Sequence, residues 1–271
     1  MSLPSPAPEA TVVVTGASSG IGAAIATKLA ALGHGVTLVA RREERLRALA
    51  DELSAAHGIR AEVASADLTD DDARAALPAA IEARGLTIAG LVNNAGLSTT
   101  GPVAAADAAA ELRMIRTDVE AVVHLCTLVI PGMVERGAGA VLNVASTAAF
   151  QPLPGQAGYG ASKAFVLSYS LATRAELTGT GVSVTALCPG PVETEFAEAA
   201  GFSQAEADGA MPKFMWVSAD EVAGQAVDGM QKGKATVIPG LGNKVSAMSG
   251  QLTPRRLLLP LLRKRHPALQ R

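Results

Sequence analysis

The sequence predicts one α/β domain in which a parallel β-sheet carries helices on both faces. Strand-like and helix-like segments alternate from residue 11 to residue 239, as in chains built from β-α-β units. The strand-like segments are short apolar runs, which is typical of strands buried on both faces. Hydrophobic residues make up 49% of the 271 residues and charged residues 18%. This composition supplies a large core and excludes a disordered chain.

The periodicity assigns each element in turn. The predicted strands are Thr11–Thr15, Val36–Ala40, Arg60–Ala64, Ala89–Val92, Ala140–Val144, Val182–Leu187 and Thr236–Pro239. The predicted helices are Gly20–Leu32, Arg42–His57, Asp70–Arg84, Ala105–Met133, Gly158–Leu177 and Ala219–Gln231. Gly33 and Gly58 end the first two helices, in the position that glycine favours. Ala105–Met133 is either one long helix or two helices with a break.

Neither a linker-like composition nor an internal repeat divides the chain, so we expect a single domain over residues 11–240. A Pro-rich N-terminus, residues 1–10, is expected to be flexible. Residues 241–271 form a basic, leucine-rich tail. A stretch over about residues 193–217 is expected to cover the substrate.

Charge, cysteine content and hydropathy exclude several functional classes. The formal net charge of −2 does not favour a nucleic-acid partner. Cys126 and Cys188 form no metal or redox motif, so we expect two buried thiols in a reducing compartment and no metal site. The N-terminus lacks the basic and apolar regions of a signal peptide, and no apolar run reaches membrane-spanning length. We therefore expect a cytoplasmic protein.

A glycine-rich turn, TGASSGIG over Thr15–Gly22, joins the first strand to the first helix. Glycines let the backbone turn sharply and approach a pyrophosphate, and the helix N-terminus directs free N–H groups at it. A plain strand–helix turn is the alternative. The candidate cofactor-binding residues in this turn are Gly16, Ser18, Ser19, Gly20, Ile21 and Gly22.

The end of the second strand indicates which dinucleotide binds. A carboxylate there would take the ribose hydroxyls of NAD, but this chain has Arg41 and Arg42. A guanidinium group matches a phosphate well, which favours NADP(H) over NAD(H), with Arg41 as the better candidate. The alternative is a pair of surface arginines at a helix start.

Polar residues follow the third, fourth and sixth strands as well. Asp67 and Leu68 follow the third strand, and the fourth is followed by Asn94, Ala95 and Gly96. These could bind adenine and the nicotinamide ribose, although Asn, Asp and Gly also supply ordinary turns. After the sixth strand the candidate residues are Pro189, Gly190, Val192 and Thr194.

Three residues are the candidates for the chemistry. Tyr159 and Lys163 lie four apart at a helix start and so share a face. A phenol with a pKa near ~10 is a poor base, but a neighbouring ammonium group lowers that pKa and makes a general acid/base. Ser146 follows the fifth strand, where its hydroxyl can donate to a substrate oxygen.

These motifs together resemble the short-chain dehydrogenases/reductases. TGASSGIG, NNAG, the serine after the fifth strand, YGASK and PGPVET occur in that family's order, and ARR resembles its NADP-preferring members. The resemblance spans about Thr11 to Thr236. It implies a seven-stranded sheet, Tyr159 as acid/base, Lys163 bonded to the nicotinamide ribose, and Ser146 orienting the carbonyl. It also implies a homodimer or homotetramer built through two long helices.

One position departs from the family pattern. The family usually has an asparagine in the helix after the fourth strand, where it holds a water in a proton relay to the lysine, but here that position is Asp118. An ionised carboxylate accepts hydrogen bonds and cannot donate them. Its charge near Lys163 would offset part of the stabilisation of the Tyr159 phenolate. We therefore predict retained activity with a shifted pH dependence.

The sequence thus predicts hydride transfer between NADP(H) and a carbonyl or secondary alcohol substrate, either a hydrophobic ketone or a 3-oxoacyl compound. An NADP-binding regulatory protein is the alternative. Apolar residues of the substrate-covering stretch fit a hydrophobic substrate, but also plain core packing: Phe196, Phe202, Met211, Phe214, Met215 and Trp216. For the tail we favour packing at a subunit interface or substrate entrance over contact with an anionic membrane surface.

Overall fold

The computed structural model of the protein describes residues 2–200, 212–265 and 269, and it contains seven strands. They are β1 (Ala10–Thr15), β2 (Gly35–Ala40), β3 (Ala61–Ser65), β4 (Thr87–Asn93), β5 (Gly139–Val144), β6 (Val182–Leu187) and β7 (Thr236–Val237). They form one parallel sheet in the order β3-β2-β1-β4-β5-β6-β7. The predicted fold class is confirmed.

Helices on both faces connect the strands. They are α1 (Gly20–Ala31), α2 (Glu43–His57), α3 (Asp71–Glu82), α4 (Ala108–Ile115), α5 (Ala121–Glu135), α6 (Ala157–Glu176), α7 (Phe196–Ala199), α8 (Ala219–Gln231), α9 (Leu241–Leu252) and α10 (Arg255–Arg265). Short 3₁₀ turns cover Val103–Ala105, Thr147–Phe150 and Lys213–Met215.

The strand order reverses between β1 and β4, which lie side by side although β2 and β3 come between them in the chain. The crevice that such a reversal opens at the carboxyl ends of the strands is where open α/β sheets bind ligands. Each face of the sheet has its own apolar cluster, one beneath α1, α2 and α8 and the other beneath α3, α5 and α6. Because the strands are parallel, the loops after β1, β4, β5 and β6 all lie at the carboxyl ends of the strands, on the same side of the molecule.

The helix predicted over Ala105–Met133 is one continuous run with an irregular middle. A π-helical turn, Arg116–Glu120, joins α4 to α5 without a break in direction, since Ile115 and Ala121 keep helical backbone angles. By length and composition the run Ala108–Glu135 would also pass as a membrane span. However, Met114, Leu125 and Met133 are fully buried in the domain, as in a core helix.

Both ends of the chain contact the domain more than the sequence indicates. At the N-terminus, expected to be flexible, Leu3 is buried, and its backbone N–H donates to the carbonyl of Met230 at the end of α8. The tail begins with α9, which buries Asn243 and Ala247. Pro260, which we expected to weaken a helix, lies inside α10, where it removes one backbone donor without ending the helix.

Candidate active site

The glycine-rich turn leaves a strip of bare backbone at the end of β1. Gly16 and Gly20 have φ angles of +65° and +57°, a region that other residues rarely adopt. A Cβ on Gly22 would lie 2.4 Å from the carbonyl oxygen of Gly16 and 2.4 Å from Nδ2 of Asn94. The turn is therefore closed to side chains on one side, and the N-terminus of α1 beside it suits an anionic phosphate.

Asn94 holds this turn against β4. Its Nδ2 donates to the Thr15 carbonyl at 2.9 Å, while the backbone N–H groups of Asn94 and Ala95 both donate to Thr15 Oγ1, at 2.9 and 3.0 Å. Asn94 thus holds the turn, and the predicted contacts of Asn94 and Ala95 with a cofactor remain predictions. Thr15 was missed as a site residue, although it opens the TGASSGIG motif.

A second amide network, not predicted from the sequence, joins β4 to β5. Asn93 and Asn143 are register partners, and Asn93 Nδ2 donates to Asn143 Oδ1 at 2.9 Å. Asn143 Nδ2 donates in turn to Ser170 of α6 at 3.0 Å. This chain fixes α6 relative to the strand ends, and α6 carries Tyr159 and Lys163.

Of the two arginines after β2, Arg42 is the one that reaches the glycine-rich turn. Its guanidinium donates to Ser18 Oγ at 2.9 Å and to Ser19 Oγ at 2.7 Å, and it pairs with Glu195 at 2.9 Å. Arg41 is exposed at the strand end. The sequence favoured Arg41, but the contacts favour Arg42 because α2 begins at Glu43 and turns Arg42 back across the turn.

The residues after β3 serve a turn and the core. Asp67 Oδ1 accepts from both the backbone N–H and the hydroxyl of Thr69, at 2.9 Å each, and the backbone hydrogen bond lowers the pKa of Asp67. Leu68 is buried, and its carbonyl accepts from Arg74. This geometry supports the turn interpretation and leaves contact with adenine as a prediction.

Lys163 and Asp118 form a buried ion pair. Lys163 Nζ lies 2.9 Å from Asp118 Oδ2 and donates to the Val144 carbonyl at 3.2 Å, while Asp118 Oδ1 accepts from the Leu97 N–H at 2.7 Å. The pair joins a carboxylate and an ammonium group at 2.9 Å, and each shifts the pKa of the other. A Cβ at Gly96 would lie 3.2 Å from Nζ, so the glycine of NNAG leaves room for this pair.

Burial and the ion pair together set the charges of both groups. Burial raises the pKa of Asp118 above its usual range, although Lys163 and the Leu97 N–H oppose this. Burial alone would lower the pKa of Lys163, but Asp118 and Tyr159 more than offset it, so that pKa is raised. Lys163 therefore stays protonated at neutral pH and is the cation that faces Tyr159.

Tyr159 begins α6 with its ring beside Lys163, whose Nζ lies 5.6 Å from the ring centroid. Although Tyr159 keeps part of its surface accessible, desolvation is the largest influence on its phenol and raises its pKa. Lys163 and a hydrogen bond with Ser146 oppose this shift, and Asp118 adds to it. Lys163 lowers the pKa of Tyr159, as expected from the sequence. The net effect of all the influences on the phenol is nevertheless a raised pKa.

Ser146 stands between Tyr159 and the loop after β6. Its hydroxyl donates to the Pro189 carbonyl at 3.4 Å and accepts from the Ala148 N–H at 3.1 Å. The site thus brings the hydroxyls of Ser146 and Tyr159 together, as the spacing predicts.

The loop after β6 folds over the glycine-rich turn. Thr194 lies above Gly20, where an added Cβ would approach it to 3.1 Å, and Val192 pairs with Val217 through a β-bridge. Gly190 lies against Asn243 of α9, leaving no room for a side chain. Asn243 was missed because it lies 53 residues away in the tail, without a local motif.

The stretch expected to cover the substrate is described in part. Phe196 packs its ring 5.9 Å from that of Tyr159, centroid to centroid, and Met215 is buried, whereas Phe214 is 74% exposed. Phe202 and Met211 lie outside the described residues. An aromatic ring packed beside the ring of Tyr159 gives the site an apolar wall.

The fold and the site define a dinucleotide-binding α/β oxidoreductase. A family model described as short chain dehydrogenase matches residues 10–204, nearly three quarters of the chain, and the chain belongs to that family. The recognised family and the oxidoreductase class are confirmed.

Curated relatives and solved structures agree with this assignment. Sulfoacetaldehyde reductase 2 of Chromohalobacter salexigens is 41% identical over 187 residues, 68% of this chain and 73% of that protein. The NADP-dependent 3-hydroxy acid dehydrogenase YdfG of Escherichia coli is 42% identical over 188 residues, 68% of this chain and 74% of its own. A short-chain dehydrogenase from Sphingobium yanoikuyae, solved with NADPH, has 35% identity and a TM-score of 0.79, covering 92% and 95% of the two chains.

Proposed function

We propose that this protein interconverts a carbonyl compound and a secondary alcohol with NADP(H) as cofactor. The observation that carries the proposal is that Tyr159, Lys163 and Ser146 lie together beside the glycine-rich turn. That turn has no room for a Cβ at Gly16 or Gly22. The NADPH-bound neighbour and the NADP-dependent relative support the choice of cofactor.

The geometry supports a set of residues that would hold the dinucleotide. Gly16, Gly20 and Gly22 offer bare backbone to the pyrophosphate, and Arg42, held by Ser18 and Ser19, offers a guanidinium to a 2′-phosphate. Arg41 adds positive charge at the same strand end. The remaining predicted contacts, with Ile21, Asp67, Leu68, Asn94, Ala95, Gly96, Pro189, Gly190, Val192 and Thr194, are part of the same proposal.

The proton chemistry uses two hydroxyls and one ammonium. NADPH, when bound, supplies the hydride for reduction, and NADP⁺ accepts it in the reverse direction. In reduction, Ser146 donates a hydrogen bond to the substrate oxygen, and Tyr159 gives that oxygen its phenolic proton as the carbonyl carbon gains the hydride. Lys163 stabilises the phenolate left behind. In oxidation the same proton returns to Tyr159.

The substrate we propose is a hydrophobic ketone or a 3-oxoacyl compound. Phe196 against Tyr159, together with half-buried Phe150 just after Ser146, supports an apolar group beside the reacting carbon. Two relatives are named for sulfoacetaldehyde and for 3-hydroxy acids. Small polar compounds should therefore be assayed beside the hydrophobic ones.

The cellular setting and the assembly belong to the same proposal. Free, buried Cys126 and Cys188 suit a reducing cytoplasm. Adjacent helices α5 and α6 expose Leu128, Phe165 and Leu171, which supports a homodimer or homotetramer built through these helices.

The buried Asp118–Lys163 pair favours a second candidate, a regulatory protein that binds NADP(H) with weak catalysis. A carboxylate on Lys163 weakens the electrostatic support for the Tyr159 phenolate and raises its pKa. A regulatory protein of this kind would bind NADP(H), and its rate of substrate turnover would stay near that of the uncatalysed reaction.

Turnover decides between the two candidates. We expect NADPH consumption with members of a panel of hydrophobic ketones, 3-oxoacyl thioesters and small polar aldehydes. Tyr159→Phe should lower kcat by about 10²–10⁴-fold because it removes the proton donor, while NADPH still binds. The control is Phe165→Tyr, which alters an exposed ring on the same helix away from Ser146. Wild-type rates that equal those of Tyr159→Phe on every substrate contradict the enzyme proposal.

A further inference from the structure

We propose that the surface formed by α9 and α10 docks on an anionic lipid bilayer. This inference goes beyond the reaction proposed above and does not depend on it. It concerns the α9–α10 face, which we define by its exposed apolar residues Leu241, Val245, Met248, Leu252, Leu257 and Leu261.

The apolar residues of α9 form one continuous stripe. Leu241, Val245, Met248 and Leu252 follow the spacing of a single helical face and are between 59% and 78% exposed. The opposite face of α9 is held in the domain by Asn243, whose Nδ2 donates to the carbonyls of Met215 and Pro239 at 2.9 and 3.0 Å. The packing of α9 on the domain therefore keeps this stripe directed outward.

Helix α10 extends this stripe and adds positive charge. Leu258 is buried and anchors the helix, while Leu257 and Leu261, one turn apart, are exposed. Arg255 donates to the Gly250 carbonyl at 2.8 Å, a contact that links α10 back to α9. Arg256 and Arg263 are exposed, and neither pairs with a carboxylate in the part of the chain that the structure describes.

The charge of the whole chain is segregated toward this end. From Gly229 to Arg271 the sequence has nine Lys and Arg residues and no Asp or Glu. The preceding 228 residues have 14 bases and 25 acids. A leucine-rich helix pair set in a basic segment has the composition of an interfacial membrane anchor, whose bases meet anionic headgroups while apolar side chains enter the acyl boundary.

Charge also disfavours a second copy as the occupant. In a twofold dimer the same patch meets itself, so Arg256 and Arg263 of two molecules would be brought together without acids to offset them. The sequence alone favoured packing at an interface or substrate entrance, and the outward stripe with its bases shifts the balance to the bilayer.

The α9–α10 face also borders the site. α9 packs on the turn Thr147–Phe150, with Gly250 against Gln151, and Arg255 lies 3.5 Å from the Phe150 carbonyl. These contacts link the two helices that carry the docking surface to the turn that follows Ser146.

The test is vesicle cosedimentation of the full-length protein. We expect binding to phosphatidylcholine vesicles with about 30% phosphatidylglycerol, little binding to phosphatidylcholine alone, and loss of binding at high salt. The double variants Val245→Glu/Met248→Glu and Arg256→Glu/Arg263→Glu should each lower the partition coefficient by about tenfold or more. Circular dichroism checks that each variant is folded.

Single-site controls place one substitution of each kind elsewhere on the surface. Val103→Glu alters an apolar residue that is 74% exposed, and Arg47→Glu reverses an exposed charge on α2. Both should bind vesicles as the wild type does. Equal binding by all variants, or no binding to anionic vesicles, overturns the proposal. So does a fall in molecular mass by light scattering in Val245→Glu/Met248→Glu, because a second copy then covers this face.

Discussion

At the scale of single residues, the chemistry depends on how three buried or half-buried groups share charge. Lys163 stabilises the Tyr159 phenolate, and Asp118, 2.9 Å from Nζ, withdraws part of that stabilisation. Desolvation by itself already raises the pKa of Tyr159. The phenol is therefore protonated at neutral pH, which suits donation of a proton during reduction.

The oxidative direction should expose the effect of Asp118. Oxidation needs the phenolate, so its rate rises as pH approaches the raised pKa of Tyr159. Asp118→Asn removes a negative charge that raises this pKa, and the ascending limb of the pH profile of kcat/KM for alcohol oxidation should move to lower pH. The exposed Asp51→Asn is the matched control. A pH profile that Asp118→Asn leaves unchanged contradicts this account of the pair.

The sequence predicts Ser146, Tyr159 and Lys163 because their spacing places them at strand and helix ends at one edge of a sheet. It favours Arg41, whereas Arg42 is the arginine that contacts Ser18 and Ser19, because the sequence does not reveal the backbone direction at the start of α2. Asn243 is equally hidden, because its contact with Gly190 joins segments without a shared local pattern.

At the scale of elements, strand positions agree closely with prediction, since short β-branched runs between glycines leave few alternatives. The π-helical turn at Arg116–Glu120 was not predicted. Its extra residue per turn leaves no local mark in the sequence, although such turns are frequent at functional sites. Here it places Asp118 beneath Lys163.

The contact between α2 and the loop after β6 governs access to Arg42. Glu195 accepts from Arg42 and Arg45, and these hydrogen bonds lower the pKa of Glu195 to about 2, so its carboxylate is ionised at neutral pH. In the proposed binding mode, a 2′-phosphate would share Arg42 with this carboxylate.

Glu195→Gln should therefore tighten NADPH binding about threefold to tenfold, since exposed ion pairs contribute little and removal of one carboxylate frees the guanidinium. NADH binding should change less. Fluorescence titration measures both, with the nearby exposed Glu193→Gln as control. Weaker NADPH binding in Glu195→Gln would show that Glu195 positions Arg42 instead of competing for it.

At the scale of the whole molecule, alternating apolar runs predict one doubly wound sheet, and the seven strands in order β3-β2-β1-β4-β5-β6-β7 confirm it. Packing of the tail at the substrate entrance was one of the favoured interpretations of the sequence, whereas the contacts of the N-terminal end were not predicted. Leu3 enters the core beside Gly90, and α9 closes the site from the far end of the chain. Composition marks both ends as Pro-rich or basic, and it carries no signal for such long-range packing.

A single substitution tests the proposed assembly of the protein into a homodimer or homotetramer. Phe165 on α6 is 41% exposed and stacks on Tyr169, with ring centroids 5.9 Å apart. Phe165→Glu should place a charge in the proposed subunit interface and reduce the mass measured by light scattering to that of one chain. The control, Val103→Glu, should keep the wild-type mass. A monomeric wild type contradicts the proposed assembly.

The central claim is that this fold binds NADP(H) and selects it through the arginines at the end of β2. Calorimetric titration with NADPH and NADH, on wild type, Arg41→Ala and Arg42→Ala, tests it most directly. We expect NADPH to bind about tenfold or more tightly than NADH, and Arg42→Ala to remove most of that preference. Equal binding of the two nucleotides contradicts the selection, and binding of neither contradicts hydride transfer itself.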